Sequence, residues 1–310
     1  MGEIFKKTEQ LNLLGESEQE SIEQSLFDRF IIPPFSIFDS RQGYWQSRKK
    51  VWLSLGIKSE IGRESKCYHI QEWAKDKNKN MPSDISVFDP VVCEIAYKWF
   101  NIQNGKVLDM FAGGSVRGIV ANKLGYDYVG FDLRQEQVNA NYENAKELNC
   151  DPAWYCDDSR NLDKYIENDS VDMLFTCPPY FDLEVYSDNP LDLSTMDYKD
   201  FEIAYQEIIQ KGVKALKNNR FAVMVVGDIR DKDGYMVSLR DLTIKCFEKC
   251  GVRLYNDIIL ATSLASASLR AGTPFSLNRK ITKVHQYILV FYKGDTKEIK
   301  NIYKKLELDY

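Results

Sequence analysis

The hydrophobic positions of this chain change their spacing at about residue 85. From there to about residue 295, short apolar runs alternate with stretches in which apolar residues recur every three or four positions. The first pattern predicts buried strands, and the second predicts helices. Strands that alternate with helices form a mostly parallel sheet covered on both faces. The chain is therefore predicted to have a Rossmann-like α/β fold with a seven-stranded sheet.

The predicted strands and helices follow one another along the main domain. Strands are predicted over 106–111, 126–132, 153–158, 171–175, 220–229, 252–262 and 286–294. Helices are predicted over 90–100, 115–125, 135–149, about 201–217 and about 237–250.

The first 84 residues have a different pattern. Pro33 and Pro34 prevent a helix at their position, and residues 41–63 interleave aromatic with basic side chains. Residues 75–84 are charged and turn-rich, which is typical of a linker. We therefore predict an N-terminal extension over residues 1–84, a main domain over 85–297 and a C-terminal tail over 298–310.

A turn with two adjacent glycines links the first strand of the main domain to the next helix. Gly113 and Gly114 let the backbone approach a ligand closely at the end of a strand. Carboxylates mark the ends of the first three strands: Asp109, Asp132 and Asp158. The second could accept hydrogen bonds from ribose hydroxyls and the third could receive an adenine amino group. This pattern predicts a nucleoside site, and a tight turn beside a helix cap is the alternative.

Two consecutive prolines follow the fourth strand, in the sequence TCPPY over 176–180. Proline has no amide donor and stiffens the turn, so the carbonyl oxygens are expected to point outward without partners in the chain. Such oxygens suit an NH2 group, and Tyr180 offers a flat face on which a base can stack. The expected catalytic residues are Cys177, Pro178, Pro179 and Tyr180. The alternative is a rigid turn beside a core tyrosine.

The segment DMFAGGS, the strand ending in Asp132 and the TCPPY turn together resemble the amino-methyltransferases of DNA. That family carries a glycine-containing FxGxG-type cofactor motif and a catalytic (D/N/S)PP(Y/F/W) motif. Residues 86–100 resemble its additional cofactor motif, which holds the methionine end of the cofactor, and residues 285–294 resemble its last strand. RQGYWQSRKKVW, FAGGSVRG and CPPYFDLEVYS are similar to DNA methylases of phages and mobile elements, a group in which restriction–modification is a common role.

The resemblance implies a Rossmann-like methyltransferase fold with S-adenosylmethionine as cofactor. The implied reaction is methylation of cytosine N4 or adenine N6 in duplex DNA, after the base is flipped out of the helix. The expected cofactor contacts are Phe88, Pro90, Asp109, Phe111, Gly113, Gly114, Asp132 and Asp158. Cys177 stands where the family has Asp, Asn or Ser, and a thiol is a weak acceptor. The amino group is therefore expected to rest more on the carbonyl oxygen of Pro178.

Basic side chains are the expected DNA contacts. The stretch 268–283 carries four cations and no acid, which suits phosphate binding. The expected substrate and DNA contacts are Phe181, Arg270, Arg279, Lys280, Lys283, Arg48 and Lys49. The acidic loop 181–198 is interpreted as a lid or base-pocket wall, because its carboxylates repel phosphates. Asp228 and Arg230 either line the pocket or form a structural ion pair.

Composition narrows these expectations. The net charge is −5, so DNA contact requires a local basic stripe rather than a broadly basic surface. The seven cysteines form no CxxC pair and there are two histidines, which favours reduced thiols and no metal site. We find no apolar secretion segment and no run of about 18 apolar residues. A cytoplasmic protein without a membrane partner is expected.

Two other functions remain open. One is an RNA amino-methyltransferase, although no appended RNA-binding module is recognisable. The other is a catalytically silent methylase-like protein that binds DNA, which Cys177 keeps open.

Overall fold

The computed structural model is built around one large sheet with helices packed on both faces. The residues that it describes are 26–58, 88–180, 189–231, 233–262, 264 and 267–306.

The strands are β1 (Ile37–Asp39), β2 (Lys106–Asp109), β3 (Asp127–Asp132), β4 (Ala153–Cys156), β5 (Val171–Thr176), β6 (Leu216–Val226), β7 (Ile229–Arg230), β8 (Met236–Val237), β9 (Arg253–Ala261) and β10 (His285–Lys293). The α-helices that lie wholly within the described residues are α1 (Gly43–Ser54), α2 (Pro90–Phe100), α3 (Val116–Lys123), α4 (Gln135–Glu147), α5 (Tyr198–Ala215), α6 (Leu239–Lys249), α7 (Ala267–Asn278) and α8 (Ile299–Ile302).

The large sheet has eight strands in the order β1-β9-β10-β6-β5-β2-β3-β4. β10 is antiparallel to both of its neighbours, and the other neighbouring strands are parallel. The predicted Rossmann-like α/β fold with a mostly parallel sheet is confirmed. The eighth strand, β1, was not predicted; it comes from the N-terminal extension. β7 and β8 form a separate hairpin.

The order of the strands determines where a ligand can bind. From β2 the chain runs outward through β3 to β4 and then returns to β5 on the other side of β2. In open α/β sheets, ligands bind outside the carboxyl ends of the strands, at the point where the order reverses. Here that point lies between β2 and β5, whose carboxyl ends lead into the double-glycine turn and the TCPPY turn.

Strand residues alternate between two apolar cores because successive side chains of a strand point to opposite faces. Val107 and Met173 belong to the core covered by α1, α2 and α3. Leu108 and Leu174 belong to the core covered by α5 and α6. This double burial explains why β2 and β5 are nearly continuous apolar runs.

Part of the predicted N-terminal extension packs on the main domain. β1 pairs in parallel with β9, with Ile37 opposite Ile259. α1 packs on α2, and its Trp45 is fully buried. The boundary predicted at residue 84 lies within 59–87, outside the described residues.

α7 lies in the basic stretch, where no element was predicted. Gly272 and Pro274, inside this helix, are residues that argue against a helix in sequence. In the part of the chain that the structure describes, no helix is long and apolar enough to cross a membrane.

Candidate active site

A cavity of about 500 Å3 opens at the carboxyl ends of β2, β3 and β5. It is lined both by the double-glycine turn and by the TCPPY turn. Of the residues predicted for cofactor binding and catalysis, the lining contains Phe88, Phe111, Gly113, Asp132, Asp158, Cys177, Pro178, Pro179 and Tyr180. Pro90, Asp109 and Gly114 are buried behind this lining.

The backbone of the glycine turn has a conformation that favours glycine. Gly113 has φ of +52°, in the left-handed region that most residues avoid. Its carbonyl oxygen accepts a hydrogen bond of 2.7 Å from the Asn141 side chain. Ala112 donates from its backbone to the carbonyl oxygen of Phe131, at 2.8 Å. The turn is thus held in place by β3 and α4.

Asp109 has a different role from the predicted cofactor contact. Its carboxylate is fully buried and accepts hydrogen bonds from Arg117 Nε at 2.5 Å, Tyr128 Oη at 2.7 Å and Thr176 Oγ1 at 2.5 Å. The backbone N–H of Phe111 also donates to it, at 3.2 Å. Asp109 therefore braces the turn from below, and its oxygens do not reach the cavity.

Arg117 is the partner that the sequence interpretation missed. Its side chain lines the cavity, donates to the carbonyl oxygens of Phe111 and Ala112, and lies 4.6 Å from the ring centre of Phe88. Burial alone would lower the pKa of Arg117, but the Asp109 carboxylate outweighs burial and raises that pKa. The guanidinium therefore stays charged. The one sequence feature that could have indicated its role is that Arg117 is a lone arginine within the apolar pattern of α3.

The carboxylates of Asp132, at the end of β3, and Asp158, which follows β4, both line the cavity. Asp132 accepts a hydrogen bond of 2.9 Å from the backbone of Arg134. Asp158 caps the 3-10 helix Ser159–Lys164, and its Oδ2 accepts from Nε and Nη2 of Arg160 at 2.9 and 2.5 Å. An adenine amino group at Asp158 would therefore have to share a carboxylate that Arg160 already holds.

Tyr180 lies partly exposed at the cavity, not in the hydrophobic interior. Its hydroxyl accepts a hydrogen bond of 2.5 Å from Gln286 Nε2 and lies 3.6 Å from Cys177 Sγ. Gly227 allows the ring to sit close, since a Cβ there would come within 3.2 Å of it. Gln286 and Gly227 were not predicted, because both lie far from Tyr180 in sequence.

The N-terminal segment also contributes to the cavity wall, through Ser40, Gln46 and Lys49. Arg48, an expected DNA contact, forms a bidentate ion pair with the buried Glu94. Its Nε and Nη2 atoms donate to Oε2 and Oε1 of Glu94, each at 2.7 Å. Its guanidinium therefore ties α1 to α2. Lys49 Nζ lies 3.1 Å from Asp89 Oδ2.

The basic stretch is partly paired. Lys283 Nζ lies 2.8 Å from Asp228 Oδ2, and Arg279 donates to the carbonyl oxygens of Phe275 and Ser276 at the end of α7. Asp228 thus pairs with Lys283 and not with Arg230, which donates to the carbonyl oxygen of Gly234 at 2.8 Å. Neither Asp228 nor Arg230 lines the cavity.

Some of the predicted site falls on residues or side chains that the structure does not describe. Residues 181–188, which include Phe181 and the first part of the acidic loop, lie outside the described residues, as does the side chain of Arg270. Among the residues that are described, no group of three or more His, Cys, Asp or Glu could hold a metal ion.

No protein-family model matches the chain, and no curated protein matches it. Solved structures with a similar fold include TrmN from Thermus thermophilus, with 13% identity and a TM-score of 0.46 over 68% of this chain and 51% of that one. A provisionally assigned DNA modification methylase from the same species has 22% identity and a TM-score of 0.34 over 44% of this chain and 51% of that one.

Magnesium protoporphyrin IX methyltransferase from Synechocystis PCC 6803, solved with bound S-adenosylmethionine, has 13% identity and a TM-score of 0.44 over 73% of this chain and 91% of that one. The chain thus spans about half the length of the first two proteins. These scores are too low to assign a function to it.

Proposed function

We propose that the chain is an S-adenosylmethionine-dependent methyltransferase that acts on an exocyclic amino group of a DNA base, cytosine N4 or adenine N6. The observation that carries this proposal is the shared cavity. Gly113, at the nucleoside end, and Tyr180, at the amine end, line the same space. A methyl donor and an amine acceptor can therefore meet there.

The cavity fits the cofactor in size and chemistry. Its volume of about 500 Å3 lies within the range of small-molecule sites. Asp132 offers a carboxylate for ribose hydroxyls. Gly113, with its positive φ, offers backbone that a ligand can approach closely. When bound, S-adenosylmethionine supplies an electrophilic methyl group.

The TCPPY turn is proposed to make the amino nitrogen of the base a better nucleophile. The lone pair of an exocyclic nitrogen is delocalised into the ring of the base, so the nitrogen is a weak nucleophile. Hydrogen bonds from its NH2 group to the carbonyl of Pro178, with a weaker one to Cys177, would localise that lone pair. Methyl transfer would form the nitrogen–carbon bond while the carbon–sulfur bond of the cofactor breaks, and that electron pair would stay on sulfur in S-adenosylhomocysteine. The positively charged nitrogen would then release a proton to water. Positioning of this kind can lower a barrier by about 7 to 11 kcal/mol in favourable cases.

Tyr180 is proposed to stack on the flipped base, because its ring lies partly exposed beside the cavity and its hydroxyl is anchored by Gln286. Flipping the base costs a few kcal/mol, which DNA contacts must offset. Arg279, an exposed residue at the end of α7, and the nearby Lys280 are the proposed phosphate contacts within the described residues. Arg270 and Phe181 remain proposed contacts on the basis of sequence.

The direct test is to incubate the protein with labelled S-adenosylmethionine and separate pools of DNA and RNA, followed by mass spectrometry of the nucleosides. The proposal predicts label in DNA as N4-methylcytosine or N6-methyladenine. Label in RNA alone would replace it with an RNA amino-methyltransferase. Label in neither pool, with the cofactor still bound, would indicate a silent methylase-like protein.

A further inference from the structure

Polar side chains line the cavity where three neighbouring strands of the large sheet, β1, β9 and β10, reach it. Phe38, Leu260 and Gln286 are paired in register across these strands, so their side chains point to the same face of the sheet. Phe38 and Leu260 belong to the apolar core of that face. Ser40 and Thr262 follow two residues later, and they line the cavity together with Gln286. The apolar face therefore becomes polar at the edge of the sheet that carries the TCPPY turn.

Gln46 of α1 completes this polar wall, and hydrogen bonds hold the wall in place. Gln46 Nε2 donates to the carbonyl oxygen of Ser40 at 2.5 Å, and Ser40 Oγ donates to the carbonyl oxygen of Ala261 at 2.9 Å. Gln286 Nε2 donates to Tyr180 Oη, which places the wall beside the amine end of the cavity. The NH2 group of a glutamine has two N–H bonds. Gln46 therefore keeps a second N–H that can serve a ligand.

Thr262 has a hydroxyl group that is available to a ligand. The backbone N–H of Thr262 donates to the carbonyl oxygen of Val284 at 3.0 Å, which fixes the residue beside the start of β10. The side chain is partly buried at the cavity. Among the residues that the structure describes, none makes a hydrogen bond with this hydroxyl. A hydroxyl can donate one hydrogen bond, so Thr262 and Gln46 provide two donors on the same wall.

We propose that Thr262 and Gln46 read the flipped base and make the site specific for cytosine, by donating hydrogen bonds to N3 and O2 of its ring. This inference rests on the proposed function and selects one of the two bases that the proposed function allows. It also gives the N-terminal segment, through α1, a part in the choice of substrate.

The Watson–Crick edges of the two bases explain this choice. Beside its amino group, cytosine presents two acceptors, N3 and O2, whereas adenine presents one acceptor, N1, followed by the apolar C2–H. With the amino group at the carbonyl of Pro178, both donors of the wall find acceptors on cytosine. On adenine, one donor would face C2–H and would lose its water without gaining a partner, which is unfavourable. Sites that form hydrogen bonds with their substrate reject analogues that lack the partner group.

The identity of the product and a pair of variants test the proposal. The wild-type protein is incubated with labelled S-adenosylmethionine and unmethylated plasmid DNA, and the nucleosides are identified by mass spectrometry. We expect N4-methylcytosine without N6-methyladenine. Thr262→Val has nearly the same shape without the hydroxyl, and it should lower kcat/KM for this DNA about tenfold, because one acceptor of cytosine is left without a partner. Binding of S-adenosylhomocysteine, measured by calorimetry, should be unchanged, which also shows that the variant is folded.

Thr262→Ser keeps the hydroxyl and should retain most of the activity. Thr296→Val, at an exposed threonine that follows β10 at the opposite edge of the sheet, is the matched control and should be fully active. N6-methyladenine as a product of the wild-type protein would overturn the inference while leaving the proposed function standing. Full activity in Thr262→Val, or equal losses in Thr262→Val and Thr262→Ser, would overturn it as well. The absence of any methylated base in the DNA would contradict the proposed function itself.

Discussion

Tyr180 is the residue whose ring contacts the base under the proposed function. Its hydroxyl is anchored by Gln286 and its ring packs against Gly227, so the side chain has a defined orientation at the cavity. A fixed aromatic face loses little conformational entropy when it stacks on a base.

We predict that Tyr180→Ala lowers kcat/KM for DNA methylation by about 5- to 150-fold, because stacking on one base is worth about 1–3 kcal/mol. Binding of S-adenosylhomocysteine should stay near normal. Tyr180→Phe keeps the ring but loses the Gln286 hydrogen bond, so it should show a smaller loss. Equal losses in the two variants would contradict a stacking role.

Asp132 lies at the end of the cavity where the nucleoside is proposed to bind. We predict that Asp132→Asn weakens S-adenosylhomocysteine binding by about tenfold in calorimetry, because a neutral amide accepts weaker hydrogen bonds from hydroxyls than a carboxylate does. Asp127→Asn, at the exposed start of the same strand, is the control and should bind normally. Unchanged affinity in Asp132→Asn would mean that Asp132 does not bind the ribose.

At the scale of secondary-structure elements, a buried charge network joins α1 to α2. Glu94 accepts two hydrogen bonds from Arg48 and one of 2.8 Å from Trp52 Nε1. Glu94 is only 3% exposed, so loss of Arg48 would leave a buried carboxylate without its counter-charge.

We predict that Arg48→Met lowers the free energy of unfolding by about 3–5 kcal/mol, the usual cost of breaking a buried ion pair. Urea denaturation measures this loss, and Lys50→Met on the exposed face of α1 is the control. A loss below about 0.5 kcal/mol, as at ordinary surface sites, would mean that α1 is not tied to the domain through this pair.

A second network links β2, β5 and β6 at their amino-terminal side. Asp172 accepts from the backbone of Lys106 at 3.1 Å, Lys217 Nζ at 2.9 Å and Arg220 Nε at 3.2 Å. Burial alone would raise the pKa of Asp172, but these hydrogen bonds outweigh burial, and the pKa lies below its usual value.

A carboxyl group whose pKa is lowered by folding stabilises the folded state above its unfolded pKa, about 3.9 for Asp. That stabilisation is lost as the pH falls through the lower, folded pKa. Asp172→Asn is therefore expected to cost about 1–3 kcal/mol at pH 7, with the cost shrinking below about pH 4. Urea titrations across pH measure it. Asp169→Asn, in an exposed ion pair with Lys293, should cost less than about 1 kcal/mol. A cost for Asp172→Asn that does not change with pH would contradict the assignment.

At the scale of the whole molecule, the parallel sheet gathers residues that are far apart in the sequence at one edge. Asp132 and Cys177 could be placed from sequence, because the carboxyl ends of parallel strands meet at that edge. Roles that depend on a partner far away in the sequence could not be inferred from sequence. Arg48 was taken for a DNA contact because no local pattern reveals Glu94, and the support of Tyr180 by Gln286 is equally invisible.

Asp109 is a second residue whose partners are not visible in the sequence. Asp109 stands at a strand end, as Asp132 does, but Arg117 and Thr176 donate hydrogen bonds to its oxygens and it does not line the cavity. Only the three-dimensional packing of α3 under the turn distinguishes an acid that braces a site from one that lines it.

The proposed function requires that the double-glycine turn and the TCPPY turn bind their ligands in one cavity. A crystal structure of the protein with S-adenosylhomocysteine tests it most directly. We expect the ribose at Asp132, backbone contact at Gly113, and the thioether sulfur facing Pro178 and Tyr180. A nucleoside bound away from this cavity, or a sulfur turned away from Tyr180, would contradict it.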